Sequence, residues 1–201
     1  KENSRFFKEW GVEGKFVILY SGNLGIGHEF DTILKVAKRF NYENDNSTLF
    51  LFIGEGLRRR YVEQYKRENG LKNVMVKDYV NKKYLCDSLA VADIHLITQI
   101  NEVVGVNMPS KLYSCMASGR PILYIGSEES DVSRIIKDAR SGFAFNIGQD
   151  EEIYKKIKYI RDKNDVLLDM GKNARDFFEK HFDKDIAIGK YHNLIESVYG
   201  K

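Results

Sequence analysis

Short runs of unbroken apolar side chains, each followed by a break and then a stretch of helical periodicity, constrain this chain more than any other feature. A strand wetted on one face alternates apolar and polar residues, so a strand that is apolar throughout must be covered on both faces. Phe16-Val-Ile-Leu-Tyr20 and Thr48-Leu-Phe-Leu-Phe-Ile53 have that character, and Val74-Met-Val76, Ile94-His-Leu-Ile97, Pro121-Ile-Leu-Tyr124 and Phe143-Ala-Phe145 extend the series. Between them the pattern predicts helices over Phe30–Phe40, from the Arg58-Arg59-Arg60 triplet to Asn69 with Gly70 as a stop, over Tyr84–Ala92 and over Ser110–Ala117. From Asp150 onward only helical signal remains, at Glu151–Lys163, Asp165–His181 and Lys184–Tyr199. The expected architecture is a doubly wound α/β domain, a parallel six-stranded sheet with a helical C-terminal tail. Ligands of such domains bind at the carboxyl ends of the strands, near the point where strand order reverses. Function is therefore sought in the turns after Tyr20, Ile53, Lys77, Thr98 and Tyr124.

Composition supports one globular domain and narrows its class. At 201 residues, 43% of them hydrophobic, the chain can bury a core without disulfides or metal. Two prolines and the lack of repeats exclude collagen, solenoids and intrinsic disorder. The longest apolar runs are far shorter than the roughly 20 residues of a membrane span. The chain starts without methionine or a signal peptide and reads as a piece of something larger. A net charge of +3 is too small to argue for nucleic acid, and the arginine triplet reads as a solvated helix face. Cys86 and Cys115 lie in apolar-periodic segments and read as buried, reduced thiols of a cytoplasmic protein, and no Cys/His spacing matches a zinc site.

Three segments carry candidate chemistry. Ser21-Gly22-Asn23-Leu24-Gly25-Ile26-Gly27-His28 joins the first strand to the first helix, where glycines let a phosphate approach the backbone and a helix N-terminus offers free N–H groups. Its glycine spacing is not the dinucleotide fingerprint, and His28-Glu29 replaces the Lys-Ser/Thr of a P-loop, so a tight turn with no ligand stays open. Met108-Pro109-Ser110-Lys111-Leu112-Tyr113 reads as a helix start capped by Ser110. Lys111 opposes the helix dipole there, which a bound anion would rationalise; an exposed lysine of no consequence is the alternative. Lys77-Asp78-Tyr79-Val80 ends the third strand, where backbone groups can pair with a planar base. His28, His95, His181 and His192 show no metal spacing, and His95 reads as a packed core residue.

The blocks "GKFVILYSGNLGIGHEFDTILKVAKRF", "LFLFIGEGLRRRYVEQ", "LKNVMVKDYVNKKYLCDSLAVADIHLI", "MPSKLYSCMASGRPILYIG" and "SGFAFNIG", in this order and spacing, resemble the nucleotide-sugar-binding C-terminal domain of a GT-B glycosyltransferase. The group resembled is the large retaining family 4, and "PSKLY…MASGRP" is most similar to transferases that build surface polysaccharides. The resemblance implies a Rossmann-like donor site. In it Gly25, Gly27 and His28 face the diphosphate and Ser110 and Lys111 reach it from the other side, with Lys111 stabilising charge on the leaving nucleotide. Gly54, Glu55, Asp78, Tyr79 and Val80 would line the base, and Ser114 would meet the ribose. The substrate implied is a nucleotide-diphosphate sugar, with a saccharide or lipid-linked acceptor and no metal or other cofactor.

Three departures accompany it. The glutamates that family members commonly carry fall on Val106 and Ser114 here; the usual Arg and Lys after the first strand are represented only by His28; and Pro109 has no N–H to offer. The resemblance divides the chain into a linker remnant at 1–12, the nucleotide-sugar-binding domain at 13–183 and a crossover helix at 184–201. The partner is then an N-terminal acceptor domain that the chain lacks, so the expectation is a half-enzyme that binds nucleotide and does not transfer sugar alone. Cytoplasmic location is implied, with peripheral attachment of the full-length enzyme to the inner membrane face. A degenerate, non-catalytic partner subunit and a nucleotide-sugar epimerase are the competing readings, and Glu102 in the Gln99–Met108 loop reads as a solvated carboxylate rather than a sugar contact.

Overall fold

The computed structural model describes residues 1–199. Six strands, β1 (Phe16–Ser21), β2 (Thr48–Ile53), β3 (Val74–Lys77), β4 (Ile94–Thr98), β5 (Ile122–Ile125) and β6 (Gly142–Phe145), form one sheet in the order β3-β2-β1-β4-β5-β6. Every pairing is parallel. Helices α1 (Phe6–Glu9), α2 (Asp31–Tyr42), α3 (Arg59–Glu68), α4 (Leu85–Ala90), α5 (Lys111–Ala117), α6 (Asp131–Asp138), α7 (Asp150–Ile160), α8 (Asn164–His181) and α9 (Lys184–Tyr199) complete the described chain. The doubly wound sheet read from the apolar runs is present, with each strand where the sequence puts it.

The two-faced burial follows from the period of two along each strand. In β1, Ile18 and Tyr20 enter one core with Ile33 and Phe40 of α2 and Ile153 and Ile157 of α7. Val17 and Leu19 enter another, with Phe6, Trp10 and Val12. A third cluster joins Ile97, Ile122 and Tyr124 to Leu112 and Met116 of α5, Ile136 of α6 and Ala174 of α8. The first twelve residues, expected as linker, thus pack onto the sheet through Phe6, Trp10 and Val12. Helix α6 was not anticipated; Ser130 caps it by accepting from Ser133 N at 3.1 Å, and Val132 and Ile136 supply its buried face. Cys115 is buried as expected, but Cys86 is exposed, on the outer side of a short helix. His95 is fully buried, with both ring nitrogens unpartnered.

The C-terminal helices close the domain unequally. Helix α7 lies on α2, where the Tyr154 ring packs tilted against Phe40 and its hydroxyl meets Glu43. Helix α8 lies on α5, with Gly171 against the Gly119 carbonyl. Helix α9 buries none of its residues, and Gly200 and Lys201 of the expected crossover segment lie outside the described residues.

β1 and β4 are neighbours although β2 and β3 intervene in the chain, so the connections leaving them run to opposite sides. A crevice opens between their carboxyl ends.

Candidate functional site

That crevice holds a cavity of about 670 Å³. The turn after β1 contributes Gly22, Asn23, Gly25, Gly27 and His28; the loop after β4 contributes Gln99, Asn107 and Met108; and the start of α5 contributes Ser110, Lys111 and Ser114. Among the described residues its ionisable lining groups are His28 and Lys111, and no carboxylate lines it.

Lys111 is half-buried and belongs to no ion pair among the described residues. Its Nζ donates to the Tyr20 hydroxyl and stands 3.7 Å from the centre of the Tyr20 ring. Burial without a counter-ion disfavours the ammonium form and brings the lysine down to about 7 from its ordinary 10.5. The Tyr20 hydroxyl donates in turn to the Asn23 carbonyl at 2.6 Å, and burial pushes its own ionisation far upward, so it stays protonated.

His28 Nδ1 lies 2.6 Å from the Thr98 carbonyl. A carbonyl only accepts, so Nδ1 carries the proton. Burial and the nearby Lys111 lower this histidine to about 4, which leaves the ring neutral and Nε2 an acceptor. A neutral ring of this tautomer leaves Nε2 free to accept from a hydroxyl. At the start of α2, Glu29 Oε1 accepts from Thr32 N at 2.7 Å. Ser110 begins α5 without a side-chain cap, and its side chain is exposed at the cavity rim. Ser114 Oγ donates to the Lys111 carbonyl at 3.0 Å, which leaves its lone pairs for a ligand's hydroxyl.

Gly25, Gly27, His28, Ser110, Lys111 and Ser114 thus share one cavity. Gly54, Glu55, Asp78, Tyr79 and Val80 do not line it; they sit at the ends of β2 and β3. Backbone bonds tie the turn after β1 to the end of β2, Gly22 N to Ile53 O at 2.9 Å and Leu24 N to Glu55 O at 2.7 Å. Arg59 ties the second group together: it donates to the Gly54 carbonyl at 3.1 Å and pairs with Glu55 and with Asp78. The arginine triplet is therefore more than the solvated face expected, since Arg58 also pairs with Asp31. Glu102 is exposed and outside the cavity lining, as a solvated loop carboxylate would be.

Tyr20 and Gln99 are the site residues that sequence reasoning missed. Gln99, buried, accepts from the Tyr124 hydroxyl at 3.0 Å and donates to the Asn107 carbonyl at 2.9 Å, so it anchors the loop after β4 to the core. The available signal was the position of both at strand carboxyl ends.

The family model described as "Glycosyl transferases group 1" matches residues 2–177. The chain belongs to the group 1 glycosyl transferases. Among curated relatives, WcaI of Escherichia coli K12, named as a glycosyl transferase of colanic acid biosynthesis, is 24% identical over 91% of this chain and 44% of its own length. WbjE of Pseudomonas aeruginosa, named as a glycosyltransferase, is 25% identical over the same shares. The chain therefore spans less than half the length of these relatives. Among solved structures, Anabaena HepE in complex with UDP superposes with a TM-score of 0.81 at 15% identity, covering 96% of this chain and 52% of that one. The C-terminal domain of LpcC from Francisella tularensis gives 0.71 at 16% identity, over 92% and 95%. The fold is thus shared over most of both chains with a domain solved by itself. Among the described residues no helix is long and apolar enough to cross a membrane, and no three His, Cys, Asp or Glu side chains gather as a metal site.

Proposed function

We propose that this chain is the donor-binding half of a retaining glycosyltransferase that takes a sugar from a nucleotide-diphosphate sugar and passes it to a saccharide or lipid-linked acceptor of a cell-surface polysaccharide. The observation that carries this reading is the cavity in which, among the described residues, no carboxylate takes part and the half-buried Lys111 has no counter-ion. An anion is the partner such a lysine lacks. As the bond from sugar C1 to the β-phosphate breaks, its electron pair stays with the diphosphate, and Lys111 is positioned to stabilise that charge. Gly25 and Gly27 leave room for phosphate beside the backbone, and the Nε2 of His28 and the lone pairs of Ser114 suit hydroxyl groups. The arch of Gly54, Glu55, Asp78, Tyr79 and Val80 is assigned to the base. UDP in the HepE structure supports the choice of nucleotide class.

A thermal-shift titration against UDP, GDP, ADP and their nucleotide sugars tests the reading. One base is expected to stabilise the chain by about 2.7 kcal/mol at one hundred times its dissociation constant, and Lys111→Ala is expected to weaken the binding strongly while leaving it measurable at higher nucleotide concentration. No shift with any nucleotide would favour the non-catalytic partner subunit, a reading that the Val106 and Ser114 replacements keep in contention. An epimerase is disfavoured, because its elimination chemistry calls for a set of acidic and histidine side chains, and the described lining holds one histidine and no carboxylate. The chain alone is expected to bind donor without transferring sugar; transfer to any acceptor would overturn that part.

A further inference from the structure

A lysine on a long flexible stem does not hold an ammonium at one point of a cavity unless something else fixes it. Here the fixing groups come from β1. The Tyr20 side chain is fully buried, with Phe30 edge-on at 5.0 Å, Phe52 at 6.2 Å and the His28 ring edge-on at 5.7 Å, so its ring has no room to turn aside. Its single hydroxyl proton is committed to the Asn23 carbonyl, which leaves the oxygen to act only as an acceptor toward Lys111. Gly22 clears the remaining side: a Cβ there would stand 3.4 Å from both Cε and Nζ of Lys111, on a backbone with φ +144°. Hydroxyl, ring face and missing side chain together define one seat.

We propose that Tyr20 is a positioning residue for Lys111, its hydroxyl and ring holding the ammonium where an incoming diphosphate supplies the missing counter-charge. This inference rests on the donor-site reading for the identity of the anion. It links the two walls of the crevice in one chain, from the Asn23 carbonyl in the turn after β1, through Tyr20, to Lys111 at the start of α5. The other titratable groups facing the ammonium are few. His28, on the turn after β1, is neutral; Cys115, on α5, is pushed up to about 12 by burial and stays a thiol; Tyr79, after β3, acts on Tyr20. With the lysine brought down to about 7, proton occupancy at Nζ reports directly on how well the seat favours the ammonium.

Tyr20→Phe keeps the ring and removes the acceptor. Titration of Lys111 is followed through its Cε resonance in protein carrying ¹³C-labelled lysine, assigned with Lys111→Arg. The wild-type midpoint is expected near 7, and Tyr20→Phe is expected to lower it by about one pH unit, since the ammonium loses a charge-assisted hydrogen bond. UDP affinity is expected to fall about tenfold in Tyr20→Phe. In a Lys111→Ala background the same change is expected to cost nothing further, because its effect runs through the lysine. A midpoint unmoved by Tyr20→Phe, or an undiminished Tyr20→Phe effect without Lys111, overturns the proposal. Failure of the wild-type chain to bind UDP, GDP or ADP strikes instead at the donor-site reading, and the lysine midpoints still decide the role of Tyr20.

Discussion

Gly54 is packed against Gly22 so closely that a Cβ on Gly54 would fall 2.0 Å from the Gly22 carbonyl oxygen. The turns leaving β1 and β2 therefore meet backbone to backbone, and the shape of the cavity wall depends on a side chain being absent. Gly54 also has φ +141°, a conformation that strains any other residue.

Gly54→Ala is expected to destabilise the chain by roughly 3 kcal/mol, combining backbone strain with overpacking. Gly27 is the contrast. A Cβ there meets Val103 at 3.6 Å, an ordinary contact, so Gly27→Ala is expected to stay within about 0.5 kcal/mol of wild type in urea denaturation. If Gly27 faces the diphosphate, the same alanine weakens UDP binding while stability holds; unchanged UDP binding would remove Gly27 from the site.

Under the donor-site reading, Arg59 holds the loops assigned to the base and leaves the phosphate side untouched. Its partners Glu55 and Asp78 are exposed, so Arg59→Gln is expected to lower stability by no more than about 1 kcal/mol. It frees the two loops assigned to the base, so UDP affinity should drop severalfold. Inorganic pyrophosphate, which has no base, should bind the variant as it binds wild type. Equal losses for both ligands would place the role of Arg59 elsewhere.

Acid should destabilise this domain through its buried imidazoles. Burial lowers His28 to about 4 and His95 to about 3 from the ordinary 6.5. Between those values and 6.5 the unfolded chain binds more protons than the folded one, so stability present above pH 6.5 is lost progressively as pH falls toward 3. His95 also buries two unpartnered nitrogens. His95→Leu is expected to raise stability at neutral pH by about 1 kcal/mol and to flatten the acid limb of a denaturation series. A steeper limb would show that His95 has a partner in solution.

The sheet was legible because apolar runs such as Phe16–Tyr20 and Leu49–Ile53 leave a strand no alternative to burial on both faces. The cavity was legible in part, because glycines and a misplaced lysine at strand ends are local signals. Arg59 was read as solvated because its decisive partner, Asp78, is distant in sequence and reaches it only once β2 and β3 pair. Tyr20 was absorbed into a hydrophobic strand, since nothing local announces that a strand's last ring will lie under a lysine from α5. The tautomer of His28 was beyond reach for the same reason: it is set by the Thr98 carbonyl, at the end of a strand that becomes a neighbour only through the reversal of strand order.

The bond path from Tyr124 through Gln99 to the Asn107 carbonyl secures the far end of the β4 loop from inside the core. A loop pinned at both ends by the scaffold can have its middle rewritten without reshaping its attachments. Residues 101–106 form such a middle, and under the donor-site reading they border the sugar rather than the nucleotide. Selectivity for the transferred sugar would then reside in an insert that can vary apart from the grip on the nucleotide.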